Sequence, residues 1–221
     1  MAYNGLSDYI RLLTKHNDII VVTDFVDPVY EMSEIADRFA KSGPNSKALL
    51  FKNNGTRFPV LMNIFGTEDR LCLALGVKNI EEPGESIQKL FRHLAQPRKS
   101  FLDKLSVLPH LQKLSSWLPS PKTGYAPCQE VVMKDPDLTA IPVLKCWPYD
   151  GGRFVTLPVV ITVNPETGIR NAGMYRMQII DSKTTGMHWH RHKTGAAHYQ
   201  MYKKLGQIMP VTVILVCDPV Y

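Results

Sequence analysis

Between Ser115 and Glu130 the chain reads SSWLPSPKTGYAPCQE, and the hydrophobic period changes across that segment. Proline, serine and glycine at this density interrupt both helices and strands, so the segment reads as a linker. Upstream, apolar residues recur at helical spacing between short strand-like runs. Downstream, they fall in runs of strand length separated by turn residues. A chain that changes period in this way is neither one helical bundle nor one all-β sandwich. The expected class is α/β, with an N-terminal α/β domain over residues 1–115, a linker over 116–130 and a β-rich domain over 131–221.

Within the first part, LSDYIRLLTKH sets Leu6, Tyr9, Ile10 and Leu13 on one helical face, and DIIVVTDFV follows as a short buried strand. PVYEMSEIADRFAKSG is a second amphipathic helix, with Tyr30, Ile35, Ala36 and Phe39 aligned and Gly43 just past its end. KALLFKN and FPVLMNIFG read as strands, and TEDRLCLALG as a helix capped by Thr67 and stopped at Gly76. GESIQKLFRHLAQP and FLDKLSVLPHLQKL continue the helical pattern. Beyond the linker, VVM, RFVTLPVVITVN, GIRNAGMYRMQII, TGMHWHRH and VTVILVCDP read as strands. Turns at Asn164–Gly168 and Asp181–Thr184 join them as hairpins, and TGAAHYQMYKKLG reads as a helix. Strands linked in this order build a small antiparallel barrel or an open sheet.

Composition removes several classes of function. No window approaches the roughly 18 consecutive apolar residues of a membrane span. MAYNGLSDYIRLL lacks the basic-then-apolar pattern of a secretory signal. Cys72, Cys128, Cys146 and Cys217 form no Cys-x-x-Cys pair, which argues against a zinc knuckle and against a disulfide framework; a reducing cytoplasm is the expected setting. The net charge of +6 favours anionic ligands. Lysines and arginines are scattered singly, without interleaved aromatics, so nucleic acid is not an expected partner.

The segment NAGMYRMQIIDSKTTGMHWHRHKTGAAHY, from Asn171 to Tyr199, holds four of the seven histidines. On a strand, His188, His190 and His192 would share one face, and Trp189 and Arg191 the other. In the preceding strand Asn171, Gly173 and Tyr175 would share a face, opposite Ala172, Met174 and Arg176. Imidazoles bind first-row divalent metals, and an amide oxygen from Asn171 beside one of them favours a magnesium- or manganese-like ion over zinc. Arg176 would then reach a phosphate or carboxylate. The same residues also fit a solvated histidine face, a core tyrosine next to a surface charge, and a glycine marking a bulge or a close backbone approach. Spacing alone does not separate these readings.

This segment resembles the cofactor-binding stretch of the UbiD-type decarboxylases, the family of 3-octaprenyl-4-hydroxybenzoate carboxy-lyase. The likeness continues in order through LSDYIRLLTKHNDIIVVTDFVDPVYEMSEIADR, PVLMNIFGTEDRLCLALG, GYAPCQEVV and DLTAIPVLKCWPYDGGRFVTLPVVITVNPETGIRNAGMYRMQ to HRHKTGAAHYQ. It implies that the β-rich part is an incomplete antiparallel split β-barrel of flavin-binding type. The implied activity is non-oxidative decarboxylation of an aromatic or α,β-unsaturated carboxylic acid, such as a polyprenyl-hydroxybenzoate of quinone biosynthesis. The implied cofactors are prenylated FMN, a divalent metal (usually manganese) and a monovalent cation such as potassium.

Residue by residue, the resemblance puts Asn171 and His192 on metal ligands. Met174, Tyr175 and Arg176 fall on the run that lines the flavin, with Arg176 also facing the substrate carboxylate as the catalytic residue. His188, Trp189, His190, Lys193 and Thr194 fall on a second cofactor-contacting run, and His198 reads as ordinary helix surface. Two departures stand out: His188 replaces an arginine, and Lys193-Thr194 replaces Arg-Gly, so the grip on phosphate differs. The resemblance further implies a flavin prenyltransferase as cofactor supplier, a homo-oligomeric full-length protein, and peripheral membrane association if the substrate is polyprenylated. Family members run to roughly twice this length. The expectation is therefore that the polypeptide continues past Tyr221, that a metal-binding glutamate and the proton-donating acids lie there, and that this chain alone is inactive. The alternative reading is a flavin- or metal-binding module without catalysis.

Overall fold

The structure, a computed structural model, describes residues 3, 5–95, 108–116, 118, 123–215 and 218. Contacts divide the chain into two compact units, one formed by residues 1–75 with 135–221 and the other by residues 76–134.

The first unit opens with α1 (Leu6–Lys15), β1 (Ile19–Phe25), α2 (Glu31–Ala40), β2 (Ala48–Asn53), β3 (Val60–Met62) and α3 (Glu68–Leu75). The strands form one sheet in the order β1-β2-β3, with β1 parallel and β3 antiparallel to β2. Ala48, Leu49, Leu50 and Phe51 are buried in succession, because β2 is covered on both faces. Leu49 and Phe51 pack with Val26, Met32 and Ala36, while Ala48 packs with Tyr9, Leu13 and Ala74. The expected stripe on α2 needs correction: Tyr30 precedes the helix at φ 73° and is exposed, and Met32 takes its place beside Ala36.

Sequence periodicity also missed Arg70, which is completely buried on α3. Its Nη1 donates to Asp18 Oδ1 at 2.7 Å and to the Ser46 carbonyl at 2.5 Å. Tyr9 donates its hydroxyl to the Arg70 carbonyl at 2.9 Å, and burial, reinforced by nearby Tyr3, pushes its pKa up to about 12.

The rest of this unit contains β4 (Arg153–Val155), β5 (Val159–Val163), β6 (Arg170–Met174), β7 (Met177–Ile179), β8 (Thr185–Met187), a helix at Thr194–Lys204 and β9 (Thr212–Ile214). They make two three-stranded antiparallel sheets, β4-β7-β8 and β6-β5-β9. The fold is thus mixed α/β with small open sheets, and no closed barrel forms among the described residues. A parallel bridge between Val29 and Lys145 ties this region to the N-terminal sheet, and Leu144 packs on the cluster around Met32 and Phe51.

Both hairpins occur where turn residues marked them. Asn164 Oδ1 accepts from the Glu166 and Thr167 amides at 2.9 and 3.1 Å, and Gly168 takes φ 72°. Asp181 Oδ1 accepts from the Lys183 and Thr184 amides at 2.8 and 2.7 Å.

Other elements differ from the expectation. RFVTLPVVITVN is two strands, β4 and β5, interrupted at 156–158, where Pro158 has no amide to give a ladder. GIRNAGMYRMQII also divides, with Tyr175 and Arg176 carrying the chain from one sheet to the other. TGMHWHRH ends as a strand at Met187; the alternation carries on to His190, with His188 and His190 exposed and Trp189 half-buried, and breaks in the turn at Arg191 and His192. VTVILVCDP is a strand only over Thr212–Ile214, and residues 216–217 lie outside the described set.

The second unit contains α4 (Glu82–Ala95) and α5 (Leu108–Ser115). The early part of FLDKLSVLPHLQKL, residues 101–107, lies outside the described residues. VVM, expected as a strand, is irregular with Val131 and Val132 exposed. No helix among the described residues is long and apolar enough to cross a membrane. The helix at Thr194–Lys204 is called α6 below.

Candidate functional site

The joints between the two β-sheets bring most of the singled-out residues together. A cavity of about 440 Å³ is lined by Thr156, Met174, Tyr175, Arg176, His188, Trp189, His190 and Lys193. Thr156 lies between β4 and β5, and Met174 to Arg176 span the passage from β6 to β7. His188 to His190 follow β8, and Lys193 precedes α6. The alternation expected before the joint holds: Asn171 and Gly173 are half-buried and Tyr175 is buried, whereas Ala172, Met174 and Arg176 are exposed.

Local packing fixes the cavity wall. Tyr175 meets Trp189 edge to face, with ring centroids 4.8 Å apart, and its hydroxyl accepts the Gly195 amide at 2.8 Å. Gly173 marks a close approach, made by a side chain: a Cβ there would stand 2.8 Å from Tyr175 Cε2. The His188 amide donates to the Arg176 carbonyl at 3.1 Å, extending the β7–β8 pairing by one residue.

The two permanent cations are held loosely at the rim. The Arg176 guanidinium lies 5.2 Å from the Phe154 ring centre, and Phe154 also meets His188 edge to face at 5.3 Å. Lys193 Nζ sits 5.0 Å from the Tyr175 ring centre and donates to the Met174 carbonyl at 3.0 Å. Among the described residues no carboxylate lines the cavity, so its field favours an anion.

Three singled-out residues are not part of this lining. Thr194 is exposed as the first residue of α6, and His192 is exposed in the turn before it, its ring 5.7 Å from that of His190. Asn171 lies on β6 opposite Thr162, and its Nδ2 donates to Thr162 Oγ1 and Tyr175 Oη, both at 3.4 Å. The amide nitrogen is thus turned inward, and its oxygen is the end left for a ligand. Among the described residues, no three or more His, Cys, Asp or Glu side chains gather as a metal site. The three histidines are therefore not a joint ligand set.

His198 requires a correction. It is buried on α6, with Nδ1 2.9 Å from the hydroxyl of fully buried Thr162. Helical spacing from Gly195 placed it on the buried face, a signal outweighed in the sequence by the polarity of the side chain. Thr162 carried a comparable signal, as the polar residue in the apolar run VVITV on the face of buried Val160. Phe154 and Thr156 showed no sequence signal beyond their strand context.

Two family models match the chain. That for the 3-octaprenyl-4-hydroxybenzoate carboxy-lyase N-terminal domain covers residues 10–94, and that for the Rift-related domain of the same enzyme covers 121–221. An uncharacterized protein of Archaeoglobus fulgidus is 49% identical in an alignment of 221 positions that covers 99% of this chain and 44% of that protein. Among solved structures, vanillic acid decarboxylase of Sedimentibacter hydroxybenzoicus in its closed form superposes with TM-score 0.77 at 21% identity, covering 99% of this chain and 44% of that one. An evolved dimeric form of the UbiD-class enzyme HmfF from Pelotomaculum thermopropionicum, in complex with prFMN, gives TM-score 0.74 at 17% identity, covering 98% and 45%. The chain thus spans 44% of the length of the Archaeoglobus relative.

Proposed function

Since the chain belongs to the UbiD carboxy-lyase family, we propose that it carries the flavin- and metal-binding part of a non-oxidative decarboxylase acting on an aromatic or α,β-unsaturated carboxylic acid. The observation that carries this reading is the cavity lining: an aromatic wall of Tyr175 and Trp189, the thioether of Met174, and two cations with no carboxylate. A flat heteroaromatic ring bearing a phosphate matches those features. Prenylated FMN bound there supplies an electron sink for the pair left when the carboxyl carbon departs as carbon dioxide.

The protein's own residues have distinct tasks in this reading. Lys193 and His188 would hold the phosphate, and Tyr175 and Trp189 would hold the ring system. Arg176, at the rim, binds the substrate carboxylate and orients it toward the ring. Asn171 offers its amide oxygen, and His192 an imidazole nitrogen, to a divalent cation of the manganese class that neutralises the phosphate. Thr194, at the start of α6, completes the second cofactor-contacting run. The net reaction replaces carbon dioxide by a proton, and nothing is oxidised. The prenylated cofactor would come from a separate flavin prenyltransferase.

The test is carbon dioxide release by the full-length polypeptide loaded with prenylated FMN. Arg176→Ala is expected to abolish release while retaining bound flavin; unchanged release would overturn its role. A second reading is binding without turnover. Bound flavin with no carbon dioxide release from any tested aromatic or unsaturated acid would select it.

A further inference from the structure

Behind the cavity wall, α6 and the β5–β6 pair enclose a polar chain that the assigned roles leave unused. His198 is 5% exposed and Thr162 0%, and Nδ1 of the first lies 2.9 Å from Oγ1 of the second. Thr162 pairs across the sheet with Asn171, whose Nδ2 donates to the same hydroxyl at 3.4 Å. A threonine hydroxyl has one proton and two lone pairs. With the Asn171 amide donating to one lone pair, the hydroxyl proton can go to His198 Nδ1 in the ring tautomer that leaves Nδ1 unprotonated.

The direction of this chain matters, because the two ends of a carboxamide are nearly equal in size. Shape does not decide which end faces inward; hydrogen-bond polarity does. Without an acceptor at His198, the hydroxyl proton would turn toward Asn171 and draw its oxygen inward, leaving the amide hydrogens facing outward; the second partner of Nδ2, Tyr175 Oη at 3.4 Å, is also a hydroxyl and can turn to donate in the same way. Amide hydrogens repel a cation. In so buried a place, the hydrogen-bond partners determine the outcome strongly.

We propose that His198, acting through the Thr162 hydroxyl, is a positioning residue that keeps the Asn171 amide oxygen turned toward a divalent cation. The proposal rests on the reading of Asn171 as a metal ligand. Outer partners of metal ligands act in this way generally, orienting the donor atom.

The test is Mn2+ titrated into the protein in the presence of FMN, with free Mn2+ followed by its electron paramagnetic resonance signal. Thr162→Val and His198→Leu are expected to weaken Mn2+ binding by about 10- to 100-fold, and Thr162→Ser to restore it. If Thr162→Val does not fold, His198→Leu against His198→Gln makes the same test, since the Gln oxygen can accept the Thr162 proton and Leu cannot. Wild-type affinity in His198→Leu, with affinity lost in Asn171→Ala, would overturn the positioning role and leave the metal reading intact. Absence of Mn2+ uptake by the wild-type protein would overturn both.

Discussion

A methyl group at Gly195 would stand 2.5 Å from Trp189 Cζ3 and 2.9 Å from both Cζ and the hydroxyl oxygen of Tyr175. Those rings form the cavity wall, so the wall would have to give. Gly195→Ala is expected to cost about 1–3 kcal/mol in urea unfolding, with a changed near-ultraviolet dichroism from Trp189 and Tyr175. Tyr9 gives a pH signature of a different kind. Its phenol ionises near 10.0 when unfolded and near 12 when folded, so between those values the folded state keeps a proton that the unfolded state has lost. The contribution is fully present below about pH 10 and is lost as pH rises toward 12. Urea midpoints at about pH 8 and pH 11 should therefore fall less steeply in Tyr9→Phe than in the wild type. At this scale the sequence was partly legible. The inward and outward residues of Asn171 to Arg176 follow strand alternation, which is local. Arg70 drew no reading and His198 was misjudged because their partners, Asp18 with Ser46 and Thr162, come from distant segments.

The elements were legible where local chemistry defines them. α1 follows its apolar spacing, α2 does so apart from Tyr30, and both hairpins follow an Asx residue that accepts amides two and three positions on. Gly168 holds φ 72° at the end of the β5–β6 turn, with open space where a Cβ would stand. Gly168→Ala should therefore lose about 1–2 kcal/mol through backbone strain alone, with FMN affinity unchanged because the residue is not in the cavity lining. Urea unfolding and FMN titration on the same variant check both parts. What periodicity could not show is the division of long strand-like runs between sheets. An apolar run has the same pattern whether it stays in one sheet or crosses to another. The crossings at 156–158 and at Tyr175–Arg176 are where the cavity opens.

At the scale of the whole molecule, the family was legible because its motifs run through both halves of the chain, and models of both parts match. The split-barrel expectation appears as two open three-stranded sheets, β4-β7-β8 and β6-β5-β9. Substrate choice was not legible, since an aromatic wall and two basic side chains in the cavity lining say little about the rest of an acid. The central claim is that the cavity between the sheets binds a flavin through its phosphate. Equilibrium titration of FMN, followed by its fluorescence, tests this most directly. The account predicts saturable one-to-one binding that weakens at least about tenfold in Lys193→Ala, as expected when a charge-assisted phosphate contact worth about 1.5–3 kcal/mol is removed. No saturable binding, or equal affinity in the wild type and in Lys193→Ala, would contradict it.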